Sequence, residues 1–377
     1  MEVEKTQKIT FKERTEIDGV PIDSASVLKV RIPLNMSFTI SLGKQDFYEG
    51  VIVELKSGDT AGYGEGETIA HITGEDHNTL FFTSMGIISS LDGRKFDSLE
   101  GVSEFVDSYC YGNSAAKSAV EISVYDLISR SMGVAARRIL GGGTSPRITS
   151  MTIPIGSVKE NLDLLSRYQE GGAKIIKVKV GKDIDHDIER INRIAENLNS
   201  GVLFFADANQ GYNLGRAIRI ANILARNEAI FFEQPMPRND FFGLKDLRKK
   251  SGLPVMLDES ISSGSDVVNV LRIGAADMIN VKLSKSGGIR NAIKVLTVAQ
   301  AGGLEAMVGC MLESRLGIAA SLAVANSLSN VKYTDLDGFT YLKEQPFDGG
   351  VDLRDGFNHL IEGYGFAAKL AISLLKA

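Results

Sequence analysis

The run Lys174-Ile-Ile-Lys-Val-Lys-Val-Gly181 sets Lys177 and Lys179 two residues apart inside an apolar, β-branched segment. In a strand, residues i and i+2 point to the same face, so both ammonium groups aim at one place. Taken alone, such a pair suits a solvent-facing strand, because lysine is mostly exposed. The segments on either side point elsewhere. Strand-like runs at 148–153, 174–180, 202–206, 229–233, 254–257, 277–282, 304–309 and 331–336 alternate with amphipathic helical runs. The helical runs are 157–170, 183–199, 213–227, 240–251, 264–273, 286–302 and 314–327, and Ser157-Val-Lys-Glu160 is a capping box at the first. Short apolar strands without alternation are parallel strands buried on both faces.

Eight such repeats predict an α/β fold, a (β/α)7–8 TIM-type barrel. A doubly wound open sheet is the alternative, but no Gly-rich phosphate loop follows a first strand. The barrel is assigned to residues 146–340. Residues 1–145 are read as an α+β capping domain, and 341–377 as a C-terminal segment returning to that cap. Within the cap, Val27–Leu34, Gly50–Leu55 and Ala61–Glu67 read as strands. Asn35–Glu49 between the first two reads as a loop long enough to act as a lid. Residues 76–133 read as helical, with Asn113-Ser114 capping a helix that carries Ala116, Val120, Val124 and Leu127 at helical spacing. Residues 1–25 are an added extension, either flexible or an extra edge strand.

Composition narrows the function classes. The 377 residues are 44% hydrophobic and 24% charged, with 42 basic and 47 acidic side chains and a net charge of −5. Mild acidity argues against nucleic acid or an anionic membrane as the main partner. There is no apolar run of membrane-spanning length. The N-terminus is charged and lacks an apolar h-region, so no signal peptide is expected. Two cysteines, Cys110 and Cys310, do not make a disulfide framework. Reduced thiols and a cytoplasmic location are the expectation.

Active sites of TIM barrels lie at the C-terminal strand ends. Asp207, Glu233 and Asp258 follow three consecutive strands at matching depth, one βα unit apart. In a barrel they converge, and converging carboxylates repel unless a cation sits between them. Hard oxygen ligands suit Mg²⁺, and Mn²⁺ would also fit. A helix N-cap explains any one of these acids but not three in register. Asn209 and Glu259 stand beside the ligands and are read as supporting them. Lys282, on strand 6, lies across the barrel from Lys177 and Lys179. Clustered ammonium groups beside a divalent cation are expected to lower the lysine pKa values and make a usable base. Ion pairing between lysines and acids would balance the charge but does not account for lysines on both sides. A Schiff-base lysine enzyme leaves the three carboxylates without a role.

The set Lys177-x-Lys179, Asp207-Ala-Asn-Gln-Gly-Tyr, Glu233-Gln-Pro, Asp258-Glu-Ser, Val281-Lys282-Leu and Gly287-Gly288 resembles the enolase superfamily, muconate-lactonising subgroup. Gly64-Glu-Gly-Glu67, Thr73-Gly-Glu75, Val120-Glu-Ile-Ser-Val-Tyr-Asp126 and Leu140-Gly-Gly resemble its cap. The resemblance covers about residues 26 to 370. It implies an isomerase that abstracts the proton α to a carboxylate with Mg²⁺ assistance, through an enediolate. Carried over by residue, Asp207, Glu233 and Asp258 bind the metal and Lys177 holds the substrate carboxylate. Lys179 and Lys282 exchange the proton on opposite faces, which suits racemisation or epimerisation.

Asp335-Leu-Asp337 at strand 8 places two acids on one face of a pocket otherwise rich in positive charge. An Asp-Leu-Asp-Gly turn is the plainer explanation. The alternative is a site for a substrate ammonium, and the motif resembles that of dipeptide epimerases. Gly309-Cys-Met-Leu-Glu313-Ser is similar to that group as well. A small-molecule dipeptide substrate and a homo-oligomer are therefore expected. N-acylamino acid racemisation, o-succinylbenzoate synthesis and muconate cycloisomerisation are rivals on the same frame. A non-catalytic binder is a rival of another class, and would be expected to lack a ligand or a lysine. The cap loop departs from a pattern expected of L-Ala-L-Glu specificity. It has no arginine, only Lys44, and carries Met36, Phe38, Ile40 and Leu42, which admits a hydrophobic dipeptide.

Overall fold

A computed structural model describes residues 1–371. Eight parallel strands form one sheet in sequence order: Ser150–Ile153, Ile175–Lys179, Leu203–Asp207, Phe232–Glu233, Val255–Leu257, Met278–Val281, Glu305–Gly309 and Val331–Asp335. A bridge between Thr149 and Thr334 brings the first strand to the last, so the sheet curls into a nearly closed barrel. Helices lie between the strands, and Ser157 and Glu160 form the expected capping box. The strands are apolar on both faces because both are covered. Outward residues such as Ile176 and Val178 join the core shared with the helices. Inward residues Ile175, Phe205, Phe231, Met256, Met278 and Met307 fill the barrel. Lys177 and Lys179 share a face with Ile175, so they stand directly above this apolar floor.

The cap begins with an antiparallel sheet of Glu2–Ile17, Val20–Ile40, Gly43–Ser57 and Thr60–Glu67, extended by the short Lys95–Phe96. Of the two readings of the first 25 residues, the strand is the one observed, since Glu2–Ile17 pairs along Val20–Ile40. The expected lid loop is not a loop. Strand pairing resumes at Phe38–Gln45 after a register shift, and Asn35–Glu49 forms the end of a long hairpin. Alternation of Phe38 and Ile40 with polar neighbours gives it strand character, and Ile40 is buried. Three helices longer than one turn follow, His77–Ser89, Leu99–Ser108 and Ser114–Ser131. The last is capped differently from expectation. Asn113 has a left-handed backbone (φ 51°) and makes no side-chain cap. The Glu75 carboxylate instead accepts from the N–H groups of Ala115 (2.9 Å) and Ala116 (3.0 Å).

The segment after the barrel touches the cap at several points. Lys343 N–H donates to the Pro33 carbonyl, and Phe366 N–H donates to Asp126 Oδ1 at 2.7 Å. Residues 372–377 of the assigned returning segment lie outside the described residues. Among the described residues, no helix is long and apolar enough to cross a membrane.

Candidate active site

The strands end where the polar side chains begin. Lys179, Asp207, Glu233 and Asp335 each close a strand, and Asp258 and Lys282 each follow one directly. Register keeps them level: Lys179 pairs with Asp207, and Asp207 with Glu233. All are buried, as are Lys177, Asn209, Glu259 and Asp337. Every site residue expected from the sequence thus gathers at one end of the barrel.

Asp207, Glu233 and Asp258 offer carboxylate oxygens that all lie within 4.8 Å of one another. Glu233 Oε2 and Asp258 Oδ2 accept no well-directed hydrogen bond, although ammonium nitrogens stand 2.8 and 2.9 Å away. Three buried, hard oxygen donors with spare lone pairs fit a divalent cation. Asn280 Nδ2 donates to Glu233 Oε1 at 2.7 Å and orients that carboxylate. The Gln234 side chain accepts from the N–H groups of Asp258 (2.8 Å) and Ser260 (3.2 Å). Gln234 and Asn209 both have positive φ, 31° and 40°. Left-handed non-glycine residues next to Asp207 and Glu233 place backbone strain at this site.

The lysines reach the acids directly. Lys177 Nζ lies 2.6 Å from Asp335, 2.8 Å from Glu233 and 3.0 Å from Asp207. Lys179 Nζ donates to Asp207 Oδ2 (2.7 Å) and Asn209 Oδ1 (3.1 Å). Lys282 Nζ stands 2.9 Å from Asp258 Oδ2. The lowering expected of lysines beside a divalent cation has no counterpart among the protein's own side chains at Lys177 and Lys282. Burial pulls both down, but the facing carboxylates, Asp335 and Glu233 for Lys177 and Asp258 for Lys282, outweigh it and hold both up. Here each ammonium meets carboxylates first.

The acids divide by partner. Burial pushes Glu233 up to about 7, helped by Asp207, and Glu259 up to about 8, helped by Asp258. Burial also opposes ionisation of Asp258, yet Lys282 and Lys285 hold it well below the usual range. Asp335 and Asp337 separate in the same way. Asp335 accepts from Ser150 Oγ and Lys177, each at 2.6 Å, and Lys177 holds it low against burial. Asp337 accepts from Thr152 N–H at 2.7 Å, and burial with Asp335 nearby pushes it up to about 7.

One residue here went unread in the sequence. Lys285, in the single helical turn Leu283–Ser286, is buried and donates to the carboxylate and the carbonyl of Asp258. Its signal was the i, i+3 spacing from Lys282, which one turn of helix brings back to the same carboxylate.

Above the charged floor lies a small cavity. Lys177, Lys179, Lys282, Asp335 and Asp337 line its base. Phe38, Ile40, Ile69 and Ile72 come from the cap, and Cys310, Met311, Leu312 and Tyr341 complete the wall. The cap thus supplies an apolar roof to a site built on barrel strand ends.

Residues 161–371 match the enolase C-terminal domain-like family, and residues 22–141 match the N-terminal domain of the mandelate racemase / muconate lactonizing enzyme family. The chain belongs to the enolase superfamily. Named relatives of this superfamily member are epimerases and racemases, which are isomerases. A hydrophobic dipeptide epimerase from Enterococcus faecalis is 32% identical over 93% of this chain and 99% of the relative. An L-Ala-D/L-Glu epimerase from Bacillus subtilis is 33% identical over 86% of this chain and 90% of the relative. Among solved structures, the dipeptide epimerase from Cytophaga hutchinsonii complexed with Mg and D-Ala-L-Val superposes with a TM-score of 0.90. It is 31% identical and covers 94% of this superfamily member and 97% of its own chain.

Proposed function

We propose that this chain epimerises dipeptides at the Cα beside the terminal carboxylate. The observation that carries this reading is the cavity base, where Asp335 and Asp337 share one floor with Lys177, Lys179 and Lys282. A dipeptide has a free ammonium for the acids and a carboxylate for Lys177. Its second Cα then lies between Lys179 and Lys282. An N-acyl amino acid lacks the ammonium and makes no use of the acid pair.

Asp207, Glu233 and Asp258 would hold a divalent cation, Mg²⁺ by likeness to the complexed relatives, with Mn²⁺ as a substitute. Such a cation, when bound, supplies a Lewis acid to the substrate carboxylate. Lys177 adds positive potential at that carboxylate, where charge grows as the α-proton leaves. Lys179 and Lys282 work from opposite sides. One removes the α-proton, giving the enediolate, and the other returns a proton to the opposite face. Asn209 steadies Lys179 through its 3.1 Å contact and meets Glu259 at 3.2 Å.

The roof argues for an apolar dipeptide. Phe38 and Ile40 face the cavity, and Phe38 packs edge-on against Tyr341 with ring centroids 5.0 Å apart. Lys44, the one cation of this hairpin end, pairs with Asp46 at 3.2 Å and does not line that cavity. A screen of L,L-dipeptides, read by chiral separation of the second residue after hydrolysis, tests the reading. Conversion is expected for apolar second residues. A screen with no conversion, alongside racemisation of N-acyl amino acids, overturns it. A homo-oligomer and a cytoplasmic location belong to the same reading, and light scattering and cell fractionation check them.

A further inference from the structure

The cap strand Thr60–Glu67 has an unusual alternation, Gly62-Tyr-Gly-Glu65-Gly-Glu67. The glycines form one face and lie against the cap helix Ser114–Ser131. A Cβ on Gly62 would meet Leu127 N at 2.3 Å, one on Gly64 would meet Ala119 O at 1.8 Å, and one on Gly66 would meet Ala115 O at 2.5 Å. Backbone contact on that side leaves no choice of register, so Glu65 and Glu67 face the barrel. Both are buried, 1% and 0% exposed.

There they meet the loop after the seventh barrel strand and the start of helix Arg315–Ala325. Glu65 Oε1 accepts from Ser314 N–H at 2.7 Å and Tyr48 OH at 2.9 Å. Glu65 Oε2 accepts from Ser314 Oγ at 2.5 Å and Gly317 N–H at 3.0 Å. Glu67 Oε2 accepts from Leu312 N–H at 2.9 Å. Neither acid touches a site lysine or a metal-binding carboxylate in these contacts. Their donors belong to the segment that continues Cys310, Met311 and Leu312, the wall of the substrate cavity. Carboxylates at a helix N-terminus make charge-assisted bonds to free backbone N–H groups.

We infer that Glu65 and Glu67 are positioning residues for the substrate cavity: from the cap sheet they hold its seventh-strand wall in register with the cap roof. Glutamine is a sharp probe of this. It keeps the size of Glu65, but its amide NH₂ must face either Ser314 N–H or Gly317 N–H, donor against donor. One charge-assisted bond is lost and another weakened, worth about tenfold in a local equilibrium.

The consequence for turnover rests on the dipeptide reading; the consequence for the wall does not. The experiment pairs backbone hydrogen exchange with steady-state kinetics on full-length E65Q and, because a glutamine at 67 could still accept from Leu312 N–H, on E67A. Exchange over 310–317 is expected to rise about tenfold, with strands 175–179 and 203–207 unchanged. KM for the dipeptide is expected to rise about tenfold, with kcat changed far less. Unchanged exchange at 310–317 in both variants overturns the inference. So does a fall in melting temperature with KM unmoved, which marks a purely structural role. If the wild-type protein converts no dipeptide, the dipeptide reading falls, and the exchange measurement alone decides whether the two acids hold the wall.

Discussion

Lys177 and Asp335 form a buried ion pair of 2.6 Å between the second and eighth barrel strands. The group proposed for the substrate carboxylate and a group proposed for the substrate ammonium are thus each other's partner. A dipeptide brings both counter-charges at once and replaces the pair without stranding either charge. A ligand with only a carboxylate would leave Asp335 unpaired, a costly outcome in a buried site.

Asp335→Asn therefore separates ligands by their ammonium. KM for a free dipeptide is expected to rise by roughly 10- to 100-fold, the worth of one charge-assisted contact. The same dipeptide acetylated at its N-terminus is expected to bind poorly to the parent protein and to change little on substitution. Equal losses for both ligands would remove Asp335 from ammonium recognition.

Lys179→Ala and Lys282→Ala should each abolish epimerisation, by about 10²-fold or more. The two variants differ in what remains. Each is expected to keep solvent exchange of the α-proton from one epimer, and the two are expected to keep opposite epimers. Deuterium incorporation into the separate L,L and L,D dipeptides reads this. Full turnover by either variant would defeat two-base proton transfer.

Chelation should silence the enzyme and Mg²⁺ should restore it. Because Asp207, Glu233 and Asp258 converge only in the folded chain, a bound cation also stabilises it. At a hundredfold excess over Kd the gain is about 2.7 kcal/mol. Differential scanning fluorimetry with and without Mg²⁺, and with Glu233→Gln, checks this. Melting that ignores Mg²⁺, together with turnover that survives chelation, would contradict the metal site.

Stability should fall between mildly acidic and neutral pH through Glu121, a cap residue away from the reacting groups. It is buried beside Gly288 and accepts from Arg290 N–H at 3.2 Å. Burial pushes it up to about 7 from its ordinary 4.5. The folded state therefore holds this proton more tightly than the unfolded state. Its stabilising contribution is complete below about pH 4.5 and is lost as pH rises through about 7, by about 3 kcal/mol in all. Denaturant unfolding at pH 5 and pH 8 is expected to show a loss about 3 kcal/mol smaller in E121Q than in the parent protein, the remainder coming from Glu233, Glu259 and Asp337. An equal loss in both would rule Glu121 out as a source.

The barrel could be read from sequence because its strands are short, apolar and regularly spaced, and because six of the eight end on or beside a charged side chain. Asp207, Glu233 and Asp258 fall one βα unit apart, so convergence followed from topology alone. Where contact depends on tertiary fit, the sequence was silent. Asn35–Glu49 looked like a loop because its polar and glycine residues mask the pairing of Phe38 with Gln45. Glu75 took the capping role from Asn113 by arriving from 40 residues away. Lys285 needed the one-turn helix after Lys282, too short to show periodicity. The lysine pKa directions depended on distances to acids that no spacing supplies.

Proton NMR in D₂O reads directly whether this site moves the α-proton of a dipeptide's second residue. With Mg²⁺ and an L,L-dipeptide bearing an apolar second residue, the α-proton signal of that residue should disappear as L,D-dipeptide appears, while an N-succinyl amino acid stays unlabelled. Deuterium entering the N-succinyl amino acid and not the dipeptide would rule out dipeptide epimerisation.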